Sequence, residues 1–221
     1  MGSRKKAQLQ IALDDIHLED AVKLLEKAGF YIDVIEIGTP LLMRYGVHAV
    51  TELRRKFPHH TILCDSKIMD AGSYEAGLVC SADADIFTVL AATDTRTVAE
   101  CVRVAHATGK KVMADLICIS DIEKVSRSLL NQGVDIIGIH TGIDQQAEGR
   151  TPLEDLRTVR SSCPDAVISV AGGINADSVE EYLKYLPDIV ISGGGIVKAE
   201  DPVSAAEKLA EKIAAWNNRK Q

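Results

Sequence analysis

The sequence predicts an α/β protein whose strands close into a single-domain (β/α)8 barrel, the TIM-barrel architecture. Eight short apolar runs alternate with eight amphipathic segments, and this alternation indicates βαβ units and a parallel sheet. The runs end near residues 14, 36, 65, 88, 115, 140, 172 and 193, so the strand ends lie roughly 21–32 residues apart. Nothing between residues 8 and 216 has the composition of a linker. Eight units in a chain of 221 residues fit a closed barrel better than an open doubly wound sheet.

Each strand is predicted from a short apolar run that stops at a polar residue or a glycine. The first run ends at Asp14, and the third, which begins with Thr61, ends at Asp65. Runs of this length between turn signals are typical of buried strands. The predicted strands are residues 8–13, 32–35, 61–64, 85–87, 111–114, 134–139, 166–170 and 188–191.

The helices are predicted from apolar periodicity and from the residues that begin and end them. The first has one broad apolar face and is closed by Gly29. Pro40 stands in the first turn of the second. Asp94 or Thr93 caps the fourth, and Gly109 stops it. The predicted helices are residues 40–57, 72–82, 94–108, 121–132, 152–162, 177–185 and 201–216, after a first helix at 18–28.

Composition and charge exclude several classes of function. The net charge of −7 argues against nucleic acid as a partner. No apolar run approaches the roughly 20 residues of a membrane span, so we expect no membrane role. Residues 1–7 lack the apolar region of a secretory signal, and we expect a flexible leader there, followed by a catalytic barrel domain over residues 8–221.

The cysteines predict a reducing compartment. There are five, an odd number, and no CxxC occurs, so the spacing suits neither a zinc site nor a disulfide framework. Free cysteines usually behave as small buried apolar residues. We therefore expect a cytoplasmic protein with mostly buried, reduced thiols.

Polar residues with chemical potential stand at the strand ends. In a (β/α)8 barrel the active site lies at the C-terminal ends of the strands. A single aspartate such as Asp14 or Asp115 is more often a helix cap, and a lone histidine is more often structural. Six polar strand ends in phase favour a functional site instead. They are Asp14, Glu36, Asp65 with Lys67, Thr88, Asp115 and His140.

Four carboxylates that converge on one barrel mouth repel each other unless cations compensate. Lys67 supplies one positive charge, and the period of two along a strand predicts that it shares a face with Asp65. Asp70 follows the strand, where the chain turns into the next helix. Hard oxygen ligands favour Mg²⁺ or Mn²⁺ as the remaining positive charge.

Two glycine clusters follow the seventh and eighth strands. Barrels often bind phosphate with these two loops through exposed backbone N–H groups. Each cluster alone is a weak signal, because glycine also serves tight turns. Together they predict a phosphorylated small-molecule ligand at one side of the mouth. The clusters are Gly172 and Gly173, then Gly193, Gly194 and Gly195.

The strand-end motifs resemble those of the orotidine-monophosphate decarboxylase suprafamily, in its branch of hexulose-phosphate synthases and 3-keto-L-gulonate-6-phosphate decarboxylases. The resemblance covers essentially the whole chain from residue 8 to the final helix. Its motifs are Ala12-Leu13-Asp14, Glu36-Ile37-Gly38-Thr39-Pro40, Asp65-Ser66-Lys67-Ile68-Met69-Asp70, Thr88-Val89-Leu90 and His140-Thr141-Gly142.

The resemblance implies a Mg²⁺-dependent reaction through an enediolate. It implies that Glu36 and Asp65 hold the metal and that Lys67 stabilises the developing oxyanion. It also implies that His140 transfers the proton and that Asp70 reaches the site of the partner subunit in a homodimer. Asp14 and Thr88 are assigned to substrate binding with the five loop glycines, and Asp115 joins the catalytic set.

Two positions distinguish the two branches that share this pattern, and a third departs from the decarboxylase pattern for phosphate binding. Asp115 stands where the decarboxylases have glutamate, and Ile143 stands where they have arginine. Both favour a synthase, which joins formaldehyde to D-ribulose 5-phosphate and gives D-arabino-hex-3-ulose 6-phosphate reversibly. The last glycine cluster stands where the decarboxylases have an arginine, so phosphate binding would depend more on backbone N–H groups and on Lys198.

Two alternatives remain at this point. The first is a 3-keto-L-gulonate-6-phosphate decarboxylase, which would use the same enediolate. The second is a non-catalytic sugar-phosphate-binding barrel, which the intact set of acids and lysine disfavours.

Overall fold

A computed structural model describes residues 6–219 and contains a closed barrel of eight parallel strands in chain order, β1 to β8. The predicted (β/α)8 fold is therefore confirmed. The eight strands are β1 Gln8–Leu13, β2 Val34–Ile37, β3 Thr61–Ile68, β4 Ile86–Leu90, β5 Lys111–Asp115, β6 Ile136–His140, β7 Ile168–Ala171 and β8 Ile189–Ser192.

Eleven α-helices accompany the strands within the described residues, most of them where periodicity predicts them. Their N-caps include Asp94, Asp121 and Asp201, whose carboxylates accept backbone N–H groups of the first helical turn. The helices are α1 Leu18–Ala28, α2 Thr39–Tyr45, α3 His48–Lys56, α4 Gly72–Ser81, α5 Thr95–Ala107, α6 Ile122–Asn131, α7 Ile143–Ala147, α8 Leu153–Ser162, α9 Val179–Leu183, α10 Gly194–Val197 and α11 Pro202–Asn218.

The single helix predicted over residues 40–57 is wrong, because two helices, α2 and α3, occupy this segment. Gly46 separates them with φ 60° and ψ −161°, a conformation that no helical residue adopts. The chain turns there, and both α2 and α3 contact β3.

The third strand differs from the regular short strand that its apolar run predicts. β3 continues to Ile68, and its register with β4 shifts between Cys64 and Ile68. Lys67 lies in this irregular stretch with φ 46°, the left-handed region that non-glycine residues rarely adopt. The bulge lets one strand present both Asp65 and Lys67 at the barrel mouth.

The protein has two apolar clusters, and the smaller one fills the floor of the barrel. We call this set the floor cluster; its buried members are Val34, Leu63, Ile86, Met113, Ile136 and Ile189. The larger cluster lies between the strands and the surrounding helices. Because side chains alternate along a strand, the residue two positions after each floor residue again faces the interior. On four consecutive strands that residue is polar: Glu36, Asp65, Thr88 and Asp115.

At the opposite, N-terminal end of the barrel, an aspartate precedes every even-numbered strand. Each accepts a hydrogen bond from the backbone N–H of a residue on the preceding strand and returns one from its own N–H to the same residue's carbonyl. We call these four residues the N-terminal aspartates. The pairs are Asp33 with Leu9, Asp85 with Ile62, Asp135 with Val112 and Asp188 with Ile168, and the carboxylate bonds measure 2.8, 2.8, 2.9 and 2.9 Å.

Three smaller expectations concern the N-terminal leader, membrane-spanning helices and the cysteines. Residues 1–5 of the predicted leader lie outside the described residues, and Ala7 exchanges hydrogen bonds of 2.9 and 3.0 Å with the Asn217 side chain. No helix between residues 6 and 219 combines the length and apolarity that crossing a membrane requires. The five cysteines are free thiols, and Cys118 alone among them is exposed.

Candidate active site

The predicted catalytic residues of β3, β5 and β6 form one bonded cluster at the barrel mouth. The Lys67 ammonium donates to Asp65 Oδ2 and lies 3.5 Å from Asp115 Oδ2. The same Asp115 oxygen lies 2.9 Å from His140 Nδ1. One oxygen of Asp115 thus joins Lys67 to His140, and Asp65 joins the cluster through Lys67.

Threonines on two neighbouring elements fix Asp65. The Thr88 hydroxyl donates to Asp65 Oδ1 at 2.8 Å and accepts the backbone N–H of Lys67 at 2.8 Å. The Thr39 hydroxyl lies 2.8 Å from both Oδ2 and the backbone oxygen of Asp65. Thr88, predicted to bind substrate, therefore has its hydroxyl engaged with Asp65 and the bulge at Lys67.

Burial and neighbouring carboxylates disfavour the ionised forms of Glu36 and Asp14. Burial, followed by the charges of Asp65 and Asp14, raises the pKa of Glu36 well above its ordinary value. Burial and then the charge of Asp65 likewise raise the pKa of Asp14. Three carboxylates on β1, β2 and β3 therefore repel each other, as the strand-end pattern predicts.

Charges on the other side of the mouth are compensated. Burial disfavours the Lys67 ammonium, but Asp65 and Asp115 together hold its pKa above the ordinary value. Burial also opposes ionisation of Asp115, yet the hydrogen bond and charge of His140, followed by the charge of Lys67, lower the pKa of Asp115. At neutral pH this half of the site contains an ammonium beside the ionised carboxylate of Asp115.

Asp14 lies where only a glycine lets it fit. A Cβ on Gly38 would lie 2.0 Å from Asp14 Oδ1 and 2.9 Å from the backbone oxygen of Leu13. A Cβ on Gly193 would lie 3.3 Å from Asp14 Oδ2, so the loop after β8 borders the same carboxylate. Asp14 therefore lies between the ends of β1, β2 and β8.

The two predicted phosphate loops come together beside Asp14. Gly172 and Gly173 adopt φ 137° and 68° in the loop after β7. A Cβ on Gly195 would lie 2.6 Å from the backbone oxygen of Ile174, so the loop after β8 packs directly against the loop after β7. Lys198 follows them, and its ammonium pairs with Asp15 at 3.1 Å on the exposed rim.

Asp70 stands apart from the cluster. It is exposed, and its Oδ1 accepts the backbone N–H of Ala71 at 2.7 Å. Within residues 6–219 it forms no ion pair with the other predicted catalytic residues. The sequence motif places Asp70 close to Lys67 along the chain, but among the described residues no ion pair joins the two side chains.

Glu36 and Asp65 fit the small share of ligands that protein supplies to Mg²⁺. Among residues 6–219 no group of three or more His, Cys, Asp or Glu side chains is arranged to hold a metal ion. Mg²⁺ usually takes only one or two carboxylates and completes its octahedron with water and substrate oxygens. The mutual repulsion of Glu36, Asp65 and Asp14 is a second feature that a divalent cation would relieve.

Sequence reasoning assigned no role to three residues that shape the site. Gln10 on β1 donates to Glu36 Oε2 at 2.6 Å. Thr39 binds Asp65, and Gly38 leaves room for the Asp14 carboxylate. A signal existed for Gln10, since it is a polar residue inside an otherwise apolar strand. For Thr39 and Gly38 the signal was their position directly after the second strand, at the same mouth as the acids.

Comparisons with known proteins identify relatives over nearly the whole chain. Residues 7–209 match the family described as "Orotidine 5'-phosphate decarboxylase / HUMPS family". A 3-hexulose-6-phosphate synthase of Bacillus subtilis (strain 168) is 42% identical over 206 residues, which cover 93% of this chain and 98% of that protein.

Solved structures of related proteins also superpose on this chain. The crystal structure of 3-hexulose-6-phosphate synthase from Salmonella typhimurium superposes with a TM-score of 0.92 at 42% identity, and the match covers 95% of this chain and 99% of that one. A 3-keto-L-gulonate-6-phosphate decarboxylase from Vibrio cholerae superposes with a TM-score of 0.84 at 28% identity, covering 96% of this chain and 99% of that one.

Proposed function

This chain belongs to the orotidine 5'-phosphate decarboxylase / HUMPS family, and we propose that it is an aldol-type lyase, a 3-hexulose-6-phosphate synthase. It would condense formaldehyde with D-ribulose 5-phosphate to D-arabino-hex-3-ulose 6-phosphate and catalyse the reverse cleavage. The observation that carries the proposal is the cluster in which Asp115 joins the Lys67 ammonium to the His140 imidazole. The named synthase relatives at 42% identity support the choice of reaction.

His140 would move the proton. Its Nδ1 is engaged with Asp115, which leaves Nε2 for the substrate and fixes the orientation of the ring. His140 would remove a proton from C1 of the pentulose, and the C–H electron pair would form the enediolate. C1 would then attack the carbon of formaldehyde, and the formaldehyde oxygen would take up the proton, so that the product is the sum of the two substrates.

Lys67 would stabilise the enediolate as a charge. The two flanking carboxylates hold its pKa above the ordinary value, so it is an ammonium at neutral pH. An ammonium cannot form a Schiff base, which requires a deprotonated amine. Preorganised positive charge is the interaction that a localised oxyanion needs, and a single such donor contributes about 10²–10³-fold in kcat.

Glu36 and Asp65 would hold a divalent cation, Mg²⁺ or Mn²⁺. Bound there, it would supply Lewis-acid charge to the enediolate oxygens. The donor chemistry and the uncompensated repulsion around Glu36 support this assignment.

The loops after β7 and β8 would hold the phosphate. Gly193, Gly194 and Gly195 offer backbone N–H groups without side-chain obstruction, and the stem of Lys198 lies beside Gly194, since a Cβ there would be 3.8 Å from Lys198 Cδ. Asp14 borders the same loop and would contact a hydroxyl of the sugar.

Asp70 would act from a partner subunit in a homodimer. Asp70 follows β3, and exposed large apolar side chains occur directly after β3 and on α2 and α4, two helices that each contact β3. Exposed apolar side chains are typical of interaction surfaces, and this supports the assignment. The exposed side chains are Met43, Met69, Tyr74 and Leu78, exposed by 82%, 51%, 71% and 44%.

A 3-keto-L-gulonate-6-phosphate decarboxylase is the second candidate. The same cluster would stabilise the enediolate left by loss of CO₂, and one solved decarboxylase is 28% identical. Asp115 and the exposed Ile143 favour the synthase, as the sequence pattern predicts. We also propose a cytoplasmic location, which the free thiols support.

One paired assay decides between the two reactions. Formaldehyde consumption with ribulose 5-phosphate and Mg²⁺ is measured beside CO₂ release from 3-keto-L-gulonate 6-phosphate, with the same enzyme preparation. We expect faster formaldehyde consumption, loss of activity with EDTA, and no trapping of substrate by borohydride. Faster CO₂ release would overturn the proposal in favour of the decarboxylase, and trapping at Lys67 would overturn the mechanism.

A further inference from the structure

Gln10 is a buried amide whose bonding is incomplete. It lies on β1 inside the barrel with 0% of its surface exposed. Its Nε2 donates to Glu36 Oε2 at 2.6 Å, and no other hydrogen bond reaches the Glu36 carboxylate from the described part of the chain. Its Oε1 has no hydrogen-bond partner among residues 6–219.

This arrangement is unfavourable for stability alone. A buried amide oxygen without a partner costs about 1–3 kcal/mol, and barrel interiors are normally filled by Val, Ile or Leu. The neighbours of Gln10 in the register, Val34 on β2 and Ile191 on β8, are such residues. A leucine or methionine would fill the position of Gln10 without the unpartnered oxygen.

The hydrogen bond has a directional effect on Glu36. It occupies Oε2 and leaves Oε1 as the carboxylate oxygen that the described residues do not bind. Asp65 differs, since Thr88 and Thr39 together with Lys67 occupy both of its oxygens. Glu36 is therefore the carboxylate of the pair with an oxygen to spare, and Gln10 determines which oxygen that is.

We propose that Gln10 is a positioning residue for the divalent cation: its amide N–H fixes the rotamer of Glu36 so that Oε1 faces the ion. The inference rests on the metal site of the proposed function. Residues that orient metal ligands in this way change metal affinity by about 10–100-fold when they are removed.

The test uses Mn²⁺ binding to the metal-free, substrate-free protein, followed by the electron paramagnetic resonance of free Mn²⁺. Gln10→Met keeps the length of the side chain and removes its N–H, and Gln10→Leu provides a second apolar replacement. Ser169→Ala is the matched control, because Ser169 is a fully buried polar residue on β7 whose hydroxyl contacts the Met113 sulfur and not Glu36. Thermal unfolding of each metal-free variant is measured alongside.

We expect both Gln10 variants to bind Mn²⁺ roughly 10–100-fold more weakly than the wild type. Each Gln10 replacement removes the unpartnered Oε1 but also the one donor that the described residues offer to Glu36, so we expect unfolding temperatures without metal close to that of the wild type. We expect Ser169→Ala to bind Mn²⁺ like the wild type. A Mn²⁺ affinity within twofold of the wild type in the Gln10 variants would overturn the inference. So would an equal loss of Mn²⁺ affinity in Ser169→Ala, which a general effect of replacing a buried polar residue predicts. Absence of Mn²⁺ binding by the wild type would overturn the metal assignment itself.

Discussion

The two ends of this barrel both carry rings of carboxylates, but they hold them in opposite ways. Each N-terminal aspartate accepts a backbone N–H, and Asp85 and Asp188 also pair with Arg54 and Arg160. At the C-terminal end, Asp14 and Glu36 face other carboxylates and their pKa values rise. Lys67 is the cation that the described structure places among the carboxylates of that end.

The difference follows from the direction of the strands. In a parallel barrel the free backbone N–H groups lie at the N-terminal edge and the free carbonyls at the C-terminal edge. A carboxylate at the first edge finds strand N–H groups as donors, whereas one at the second edge depends on the N–H groups of the following loop or on cations. Asp115 has both, since it accepts the N–H of Ile117 at 2.9 Å and lies 3.5 Å from the Lys67 ammonium, whereas Glu36 accepts only the amide N–H of Gln10 from the described residues.

The largest effect is expected for Lys67 at the C-terminal end, and Lys110 near the N-terminal end provides its control. Lys67→Met should lower kcat by about 10³-fold, because it removes preorganised positive charge at the oxyanion, while ribulose 5-phosphate still binds. Lys110 pairs with Asp83 at 2.5 Å near the N-terminal end and supplies the matched control. Lys110→Met should leave kcat within about twofold. Equal losses in steady-state assays of the two variants would remove the distinction between the ends.

The next effect is on stability and concerns the N-terminal end. Asp188→Ala leaves the Ile168 N–H and the Arg160 guanidinium without their carboxylate, and should lower the free energy of unfolding by about 2–3 kcal/mol. Urea unfolding measures this loss, and kcat of the folded variant should not change. Asp33→Ala should cost less, because the exposed Asp33 holds a backbone N–H alone. A large loss of kcat in Asp188→Ala would contradict the separation of roles.

Glu36→Gln should have the opposite sign in stability. The folded state raises the pKa of Glu36 above its unfolded value of about 4.3. A raised pKa contributes stability below the unfolded value and loses it as pH rises through the folded value. The metal-free variant should therefore unfold at a higher temperature at pH 7–8, by about 2–4 °C per kcal/mol relieved, with the gain vanishing near pH 4. Calorimetry that finds the same difference at both pH values would exclude like-charge repulsion as the cause.

The smallest effect is expected at the rim. Lys198 and Asp15 form an exposed pair with side chains 58% and 71% exposed. Such pairs are worth about 0.2–1 kcal/mol, so Lys198→Met should raise KM for ribulose 5-phosphate by roughly two- to fivefold without changing kcat. Asp15→Asn, which frees the ammonium for phosphate, should lower KM for ribulose 5-phosphate. A tenfold rise in KM for Lys198→Met would mean that the mouth depends on this cation more than on its backbone N–H groups.

The fold and the contents of the mouth could be predicted because both follow from periodicity. Period-two alternation with short apolar runs locates the strands, and parallel strands bring their ends together, so Glu36, Asp65 and Asp115 were found without coordinates. Helix caps such as Asp94 were equally local. These features depend on neighbours in sequence and on the general rules of the barrel.

The remaining features depend on local backbone conformation or on contacts between strands, and the sequence displays neither. Gly46 breaks a helix that periodicity alone would continue, and Lys67 adopts a positive φ that its residue type does not suggest. The bond from Gln10 to Glu36 requires the register of β1 with β2. Asp70 is adjacent to the cluster in sequence, yet it is exposed and its carboxylate binds the N–H of Ala71.

The reciprocal bonds of the N-terminal aspartates also divide the barrel into modules. They link β1 with β2, β3 with β4, β5 with β6 and β7 with β8, and each bond is made inside one such pair. A gene segment that encodes two consecutive strands can therefore be copied, exchanged or moved without leaving any of these carboxylates or N–H groups behind. A segment that encodes one strand cannot, so the strand pair is the smallest segment of this barrel that keeps these bonds intact.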